Sequence, residues 1–211
     1  MFETNEIDFF AFKKQMKPSE ITIYKLRKFI SILDEYQNKM NLIGKSTMSS
    51  IWKRHILDSA QIEKFLPKEN KKNVTIDVGT GAGFPGIVLA ALGRKDLLLC
   101  EKSKKKKIFL KVVAKECNFK FKVYNDRVEN LRIPNVKTIV SRAFAPLKTL
   151  LSKVKHCLCC DTTLVLHKGK TYMEEIIEAK NLFYFNYECY KSLTSSDSKI
   201  LKINNVKEKN E

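Results

Sequence analysis

The chain has 211 residues, 44% of them apolar, and its 40 Lys and Arg against 23 Asp and Glu leave a net charge of +17. That length carries one real hydrophobic core, and that composition excludes a disordered chain. No apolar run reaches the roughly 20 residues of a membrane-spanning helix, while the excess of cations favours a polyanionic partner such as nucleic acid. The abundance of Lys, Asn and Ile, which AT-biased coding gives to any protein, is an alternative source for part of that excess.

The N-terminal stretch Met1–Asp8 is acidic and lacks the basic-then-apolar form of a signal peptide. A cytoplasmic protein is expected, with its six cysteines as thiols. Residues Glu6–Met16 carry Ile7, Phe9, Phe10 and Phe12 and read as a short helix. Pro18-Ser19 then breaks and caps the chain, and from Ser19 to about Met40 the apolar positions Ile21, Tyr24, Phe29, Ile30, Leu33, Tyr36 and Met40 keep helical spacing. A turn at Asn41–Ser46 leads to a third helix over roughly 48–65. This segment holds too little apolar surface for a core of its own. It is read as a helical cap, 1–70, folded onto a sheet domain, 71–205, with a frayed tail at 206–211. His55 and Asp58, three apart, share a face of the third helix. They either lie near a cofactor pocket or form a local polar pair that orients the cap.

At Val74 a β-branched run begins, and it leads into Asp77-Val-Gly79-Thr-Gly81-Ala-Gly83-Phe84-Pro85-Gly86 and a second apolar run, Ile87–Leu92. Strand, tight Gly turn and helix open a doubly wound α/β sheet. Gly removes the Cβ that would block a ligand lying on the backbone. Two cofactor classes use such a turn. Gly81, Gly83 and Gly86 fit the dinucleotide pattern G-x-G-x-x-G, and Asp77, Gly79, Gly81 and Gly83 fit the S-adenosylmethionine pattern D/E-x-G-x-G-x-G. Asp77 favours the second. Glu101, at the end of the next strand, stands where an acid meets a ribose diol, which either nucleoside cofactor would use.

Beyond Glu101 the chain alternates. Ser103 is an N-cap for a helix whose first turn carries four lysines, Lys104–Lys107, against the helix dipole; these face either phosphates or solvent. Strands follow at 121–124, 136–141 and 162–167, helices at 147–156 and 171–180, and two closing strands near 182–190 and 199–204. The result is a mostly parallel seven-stranded sheet with an antiparallel edge. Ligands bind outside the carboxyl ends of such strands, and those ends carry Gly79–Gly83, Glu101, Asp126–Glu129 and Ser141–Phe144. His156-Cys157-Leu-Cys159-Cys160 contains one C-x-x-C spacing without a second pair. It is read as small apolar filling at a helix end, and no metal is expected.

Together, Asn41-Leu-Ile, Arg54-His55-Ile-Leu-Asp58-Ser59, Asp77–Gly86, Glu101 with its lysines and Phe109-Leu110, Arg127-Val-Glu129 and Ser141-Arg-Ala-Phe-Ala-Pro146 resemble the ribosomal RNA small-subunit methyltransferase G family, also called glucose-inhibited division protein B. The resemblance runs from about residue 36 to 180. It implies a class I S-adenosylmethionine-dependent methyltransferase, Rossmann-like, read as a cytoplasmic monomer that methylates N7 of a guanine in 16S rRNA near the decoding region. Its partner is then 16S rRNA or the small ribosomal subunit, with no membrane. By position it implies cofactor contacts at Gly79 and Phe84, at Val128 and Glu129, and at Arg142, to which the motif adds Gly81, Gly83 and Glu101.

Guanine N7 has an exposed lone pair and needs no deprotonation, so no obligatory general base is expected. The loop after the fourth strand, Ser141-Arg-Ala-Phe144, lacks the Asn/Asp-Pro-Pro-aromatic run used on exocyclic amines, and no Pro is followed by Cys as in pyrimidine carbon-5 methylation. Arg142 is expected where cofactor and base meet, or else in a salt bridge to Asp77 or Glu129. Phe144 stacks on the guanine or is core. Lys53, Arg54, Lys104 and Lys105 are candidates for rRNA phosphates. The rival readings are a nicotinamide-dependent oxidoreductase, which would need a redox pocket that this loop does not offer, and a non-catalytic rRNA-binding assembly factor, which would not need Asp77, the glycines and Glu101 together.

Overall fold

The structure, a computed structural model, describes residues 5–69 and 72–209. Seven strands form one sheet: β1 Val74–Val78, β2 Leu97–Cys100, β3 Lys122–Tyr124, β4 Val136–Arg142, β5 Thr163–Lys168, β6 Phe183–Lys191 and β7 Lys199–Glu208. Their order is β3-β2-β1-β4-β5-β7-β6. β1 to β5 are parallel, and β7 runs antiparallel to both β5 and β6. Growth of the sheet reverses between β1 and β4, which makes their carboxyl ends the switch point where ligands bind.

β1 and β2 are buried along nearly their whole length because both faces are covered, whereas the edge strands β3 and β6 carry exposed residues. In β2, Leu97 and Leu99 belong to one core and Leu98 and Cys100 to the other. Helices α1 Glu6–Met16, α2 Glu20–Met40, α4 Gly86–Ala91 and α5 Lys104–Glu116 cover the first face; α6 Leu147–Val154 and α7 Tyr172–Lys180 cover the second. Asn5 caps α1 by accepting from the Ile7 N–H at 2.9 Å, and Ser19 caps α2 by accepting from Thr22 at 3.2 Å. The N-terminal helices have no separate core. Phe29 of α2 lies 5.4 Å from the Phe84 ring and 6.5 Å from Phe109 of α5, and Thr22 donates from its hydroxyl to the Ala91 carbonyl at 3.1 Å. No helix of the described residues is long and apolar enough to cross a membrane.

Two expectations need correction. The third helix is not continuous over 48–65. A 3₁₀ turn at Lys45–Thr47 comes first, then a π-helical stretch, Trp52–Leu57, running into a single turn α3, Asp58–Ala60, and a 3₁₀ turn at Glu63–Phe65. The Thr47 hydroxyl donates to the Gly44 carbonyl at 2.7 Å, a local bond that competes with helix formation. Within the π stretch the Asp58 N–H reaches back to the Lys53 carbonyl, five residues away. The tail is not frayed from 206 onward either. β7 continues to Glu208 because Phe183 and Tyr184 pair with Glu208 and Lys207, and the Lys209 N–H donates to the Leu182 carbonyl at 2.9 Å. Residues 210–211, and residues 1–4 of the acidic N-terminal stretch, lie outside the described residues.

Candidate active site

Asp77 ends the apolar part of β1 fully buried. Its Oδ2 accepts from the Thr80 hydroxyl at 2.5 Å and the Gly86 N–H at 2.8 Å, so one carboxylate pins both ends of the Gly loop. Burial raises its pKa to about 6, against the pull of those two donors, and its Oδ1 is buried without a hydrogen-bond partner among the described residues. Asp77 braces the loop rather than facing the cavity. Gly79 sits at φ +69°, and a Cβ there would fall 2.3 Å from Cδ2 of Phe144. A Cβ at Gly83 would fall 2.1 Å from Cδ1 of Ile87. Gly79 is therefore required by the aromatic ring above it, and Gly83 by its own helix.

The carboxyl ends of four parallel strands enclose a cavity of about 460 Å³, within the range of cofactor sites. Gly79 and Gly81 line it after β1, Glu101 after β2, Asp126 to Glu129 after β3, and Ala143 to Ala145 after β4. The Glu101 carboxylate is held by the Gly81 N–H at 3.1 Å and the Ser103 N–H at 2.7 Å. Each oxygen keeps a lone pair that a vicinal diol can use. Glu129 is paired with Lys153 of α6 at the rim, which holds its carboxyl below the usual range. Val128 is buried and supplies an apolar wall. Among these, Asp126 is read in the sequence only as part of a strand end and Lys106 only as one of four lysines facing phosphates or solvent, and Lys153 is not singled out at all. Lys106 is one of four consecutive lysines and Lys153 one of many surface cations, so only the fold separates them. Lys104 and Lys105 are exposed on α5 beside the cavity, outside its lining.

Phe144 lines this cavity and also a second one of about 290 Å³. The segment Ala143–Ala145 is the partition between them. On the far side stand Lys168, at the end of β5, and Glu175 of α7. The nearly buried Lys168 ammonium donates to Glu175 at 2.6 Å and to the Ala145 carbonyl at 2.9 Å.

Arg142 does not line the 460 Å³ cavity, and among the described residues it bridges to neither Asp77 nor Glu129. Its guanidinium donates to Asp58 at 3.2 Å, to the Arg54 carbonyl at 2.9 Å and to Nδ1 of His55 at 2.7 Å, and it lies 5.0 Å above the Phe84 ring. Phe84, only 3% exposed, is a core residue between Phe29, His55 and Arg142, and it too stays outside the cavity lining. His55 and Asp58 thus orient the cap, not by pairing with each other but by gripping β4. Because Arg is only a donor, His55 must accept at Nδ1 and carry its proton on Nε2, which meets Thr47 at 2.7 Å. Burial, then the Arg142 charge, lowers the His55 pKa to about 3. Asp58 also accepts from Thr194 at 2.7 Å and Gln61 at 2.9 Å, and its carbonyl accepts from Nε2 of His167 at 2.6 Å.

Above this seat opens a cleft of about 810 Å³, lined by Lys53, Arg54, Arg142, Lys168 and a series of hydroxyls from Thr47, Ser50 and Thr194 to Ser198. It holds cations and hydroxyls with almost no apolar side chain, and it shares Ala143 with both smaller cavities. Of the cysteines, Cys157 is buried filling, whereas Cys159 and Cys160 are exposed.

Residues 22–204 match the family described as rRNA small subunit methyltransferase G. The ribosomal RNA small subunit methyltransferase G of Orientia tsutsugamushi (strain Ikeda) is 38% identical over 185 residues, 88% of this chain and 91% of that one. Its counterpart from Rickettsia prowazekii (strain Madrid E) is 37% identical over 191 residues, 90% of this chain and 98% of that one. Among solved structures, the glycopeptide N-methyltransferase MtfA complexed with S-adenosylmethionine superposes with a TM-score of 0.57 at 9% identity, over 71% of this chain and 94% of that one. A TehB-like S-adenosylmethionine-dependent methyltransferase from Corynebacterium glutamicum gives 0.56 at 15% identity, over 83% and 98%. The fold is that of class I S-adenosylmethionine-dependent methyltransferases.

Proposed function

The chain belongs to the rRNA small subunit methyltransferase G family, and from that premise we propose that it methylates N7 of a guanine in 16S rRNA near the decoding region. The observation that carries this reading is the partition at Ala143–Ala145. It stands between a cavity with the Gly backbone and Glu101 on one side and a base-sized cavity and cationic cleft on the other.

S-adenosylmethionine supplies an electrophilic methyl group when bound. Gly79 and Gly81 would border its amino-acid part, Glu101 would accept from the ribose hydroxyls, and Val128 with Glu129 would border the adenine. The remaining work belongs to this chain's own side chains. Guanine N7 attacks through an in-plane lone pair, so no residue has to remove a proton from it. What is required is alignment at roughly 3 Å and exclusion of water. Phe144, fixed over Gly79, offers a flat face at the partition for the base to lie against. Arg142, tied down by Asp58 and His55, lines the cleft with two of its five N–H donors unused among the described residues, and would meet an RNA phosphate there, with Lys53 and Arg54 beside it.

The test is transfer of labelled methyl to small subunits from a strain lacking this gene, with deproteinised 16S rRNA alongside, the product being located by N7-specific chain cleavage. One cleavage near the decoding region is expected. No label on either substrate, with the cofactor demonstrably bound, would remove the target assignment.

A further inference from the structure

Behind Phe144, the 290 Å³ cavity has a chemical asymmetry that the methyl-transfer reading leaves unused. Its near wall is the Ala143–Ala145 partition. Its far wall is one carboxylate and one ammonium, Glu175 and Lys168. The two oxygens of Glu175 are unequal. Oε2 accepts from the Leu147 N–H at 2.8 Å and from Lys168 at 2.6 Å. Oε1 has no hydrogen-bond partner among the described residues, and the side chain, 18% exposed, is reachable from the cavity. An ionised acid kept in place by two donors, with its second oxygen aimed at neither, is a prepared acceptor.

We propose that Glu175 selects guanine, Oε1 accepting from the N1–H and N2 amino edge while the Lys168 ammonium donates to O6. This rests on the reading of the reaction given above. Among RNA bases only guanine places two adjacent donors on its Watson–Crick edge with an acceptor next to them. Adenine would set an unprotonated ring nitrogen against the carboxylate, and the pyrimidines lack the pair of donors. A guanine bound this way has N7 on the other side of O6 from Glu175, turned toward the partition and the cofactor cavity. One contact set thus serves both choice of base and choice of atom. The cavity volume suits one unstacked base, and recognition of splayed bases by their edges is the common mode for RNA.

The experiment uses reconstituted small subunits carrying inosine, which lacks the N2 amino group, at the methylated position. It compares kcat/KM for methyl transfer with that on guanosine subunits. Loss of a hydrogen bond to a charged group predicts a drop of roughly 10- to 100-fold for the wild-type enzyme. In Glu175→Gln the guanosine-to-inosine ratio should shrink toward unity, with S-adenosylhomocysteine affinity unchanged. Equal use of inosine and guanosine by the wild type overturns the proposal and leaves N7 methylation standing, and this arm needs no variant to fold. An unchanged ratio in Glu175→Gln overturns it likewise. Methyl on a base other than guanine, or no transfer to guanosine subunits, overturns the reaction reading and this proposal with it.

Discussion

Asp77 shows how one buried atom sets the behaviour of a loop. Burial holds its carboxyl at about 6 against 3.8 for the free side chain. The folded chain therefore keeps a proton that the unfolded chain releases between those values. That contribution to stability is complete below about pH 4 and is lost as pH rises through about 6. Asp77→Asn keeps an oxygen for Thr80 and Gly86 but does not titrate. In urea denaturation without cofactor, the variant should gain on the wild type by roughly 2 kcal/mol between pH 4 and pH 7. A difference that stays flat with pH would show that Asp77 is ionised throughout. The motif made Asp77 and the glycines legible in the sequence. It did not show that Gly79 is required by Phe144 and Gly83 by Ile87, because a Gly spacing carries no information about which ring or side chain later fills the missing Cβ.

At the scale of elements, the π-helical stretch Trp52–Leu57 brings His55 and Asp58 onto the Arg142 guanidinium. Asp58→Ala would leave that mostly buried cation with a histidine nitrogen and one carbonyl. A loss of about 3 kcal/mol in folding stability is expected. Adding Arg142→Met should recover part of it, because the orphaned charge is removed. Stability of the single and double variants by chemical denaturation checks both. The strands were legible from their apolar runs, and α2 and α5 because hydrophobic spacing and the capping residues Ser19 and Ser103 agree over them, whereas α1 was read from its aromatic cluster although Ile7 and Phe10 are exposed and Asp8 is buried. The third helix was not, because a π turn has no separate hydrophobic period and Thr47 spends its hydroxyl locally. The resemblance implied Phe84 as a cofactor contact; its ring packs in the core beneath the loop, which the motif spacing did not announce. Glu175 was not singled out in the sequence, since nothing in its own segment announces Lys168.

Across the whole molecule, charge is the property most open to measurement. The net +17 is spread widely, but the cleft above Arg142 concentrates Lys53, Arg54 and Lys168 among hydroxyls. Affinity for small subunits should fall steeply with salt, and replacing Lys53 or Arg54 by Ala should each lower the slope of log K against log salt by about 0.7 to 0.9. A slope unchanged by either substitution would move the RNA path elsewhere, with exposed Lys104 and Lys105 beside the cofactor cavity as the next pair to replace. The sum of charge was legible in the sequence. Its focus was not, because the cleft is assembled from the cap, two strand ends and the β6–β7 connection.

That assembly also sets an order of events while the chain is being made. Thr194 donates to Asp58, and Gln61 accepts from the Leu193 N–H at 2.8 Å, so the β6–β7 connection completes a seat begun by a turn made more than 130 residues earlier. Every side of the cofactor cavity, by contrast, has been synthesised once Lys153 emerges. If the proposed assignments hold, a nascent chain halted before residue 190 has every residue that lines the cofactor cavity but lacks the Thr194–Ser198 segment that lines the cleft. On the proposed reading, the parts for binding cofactor are synthesised before those for engaging substrate, and a chain has both only once it reaches the β6–β7 connection.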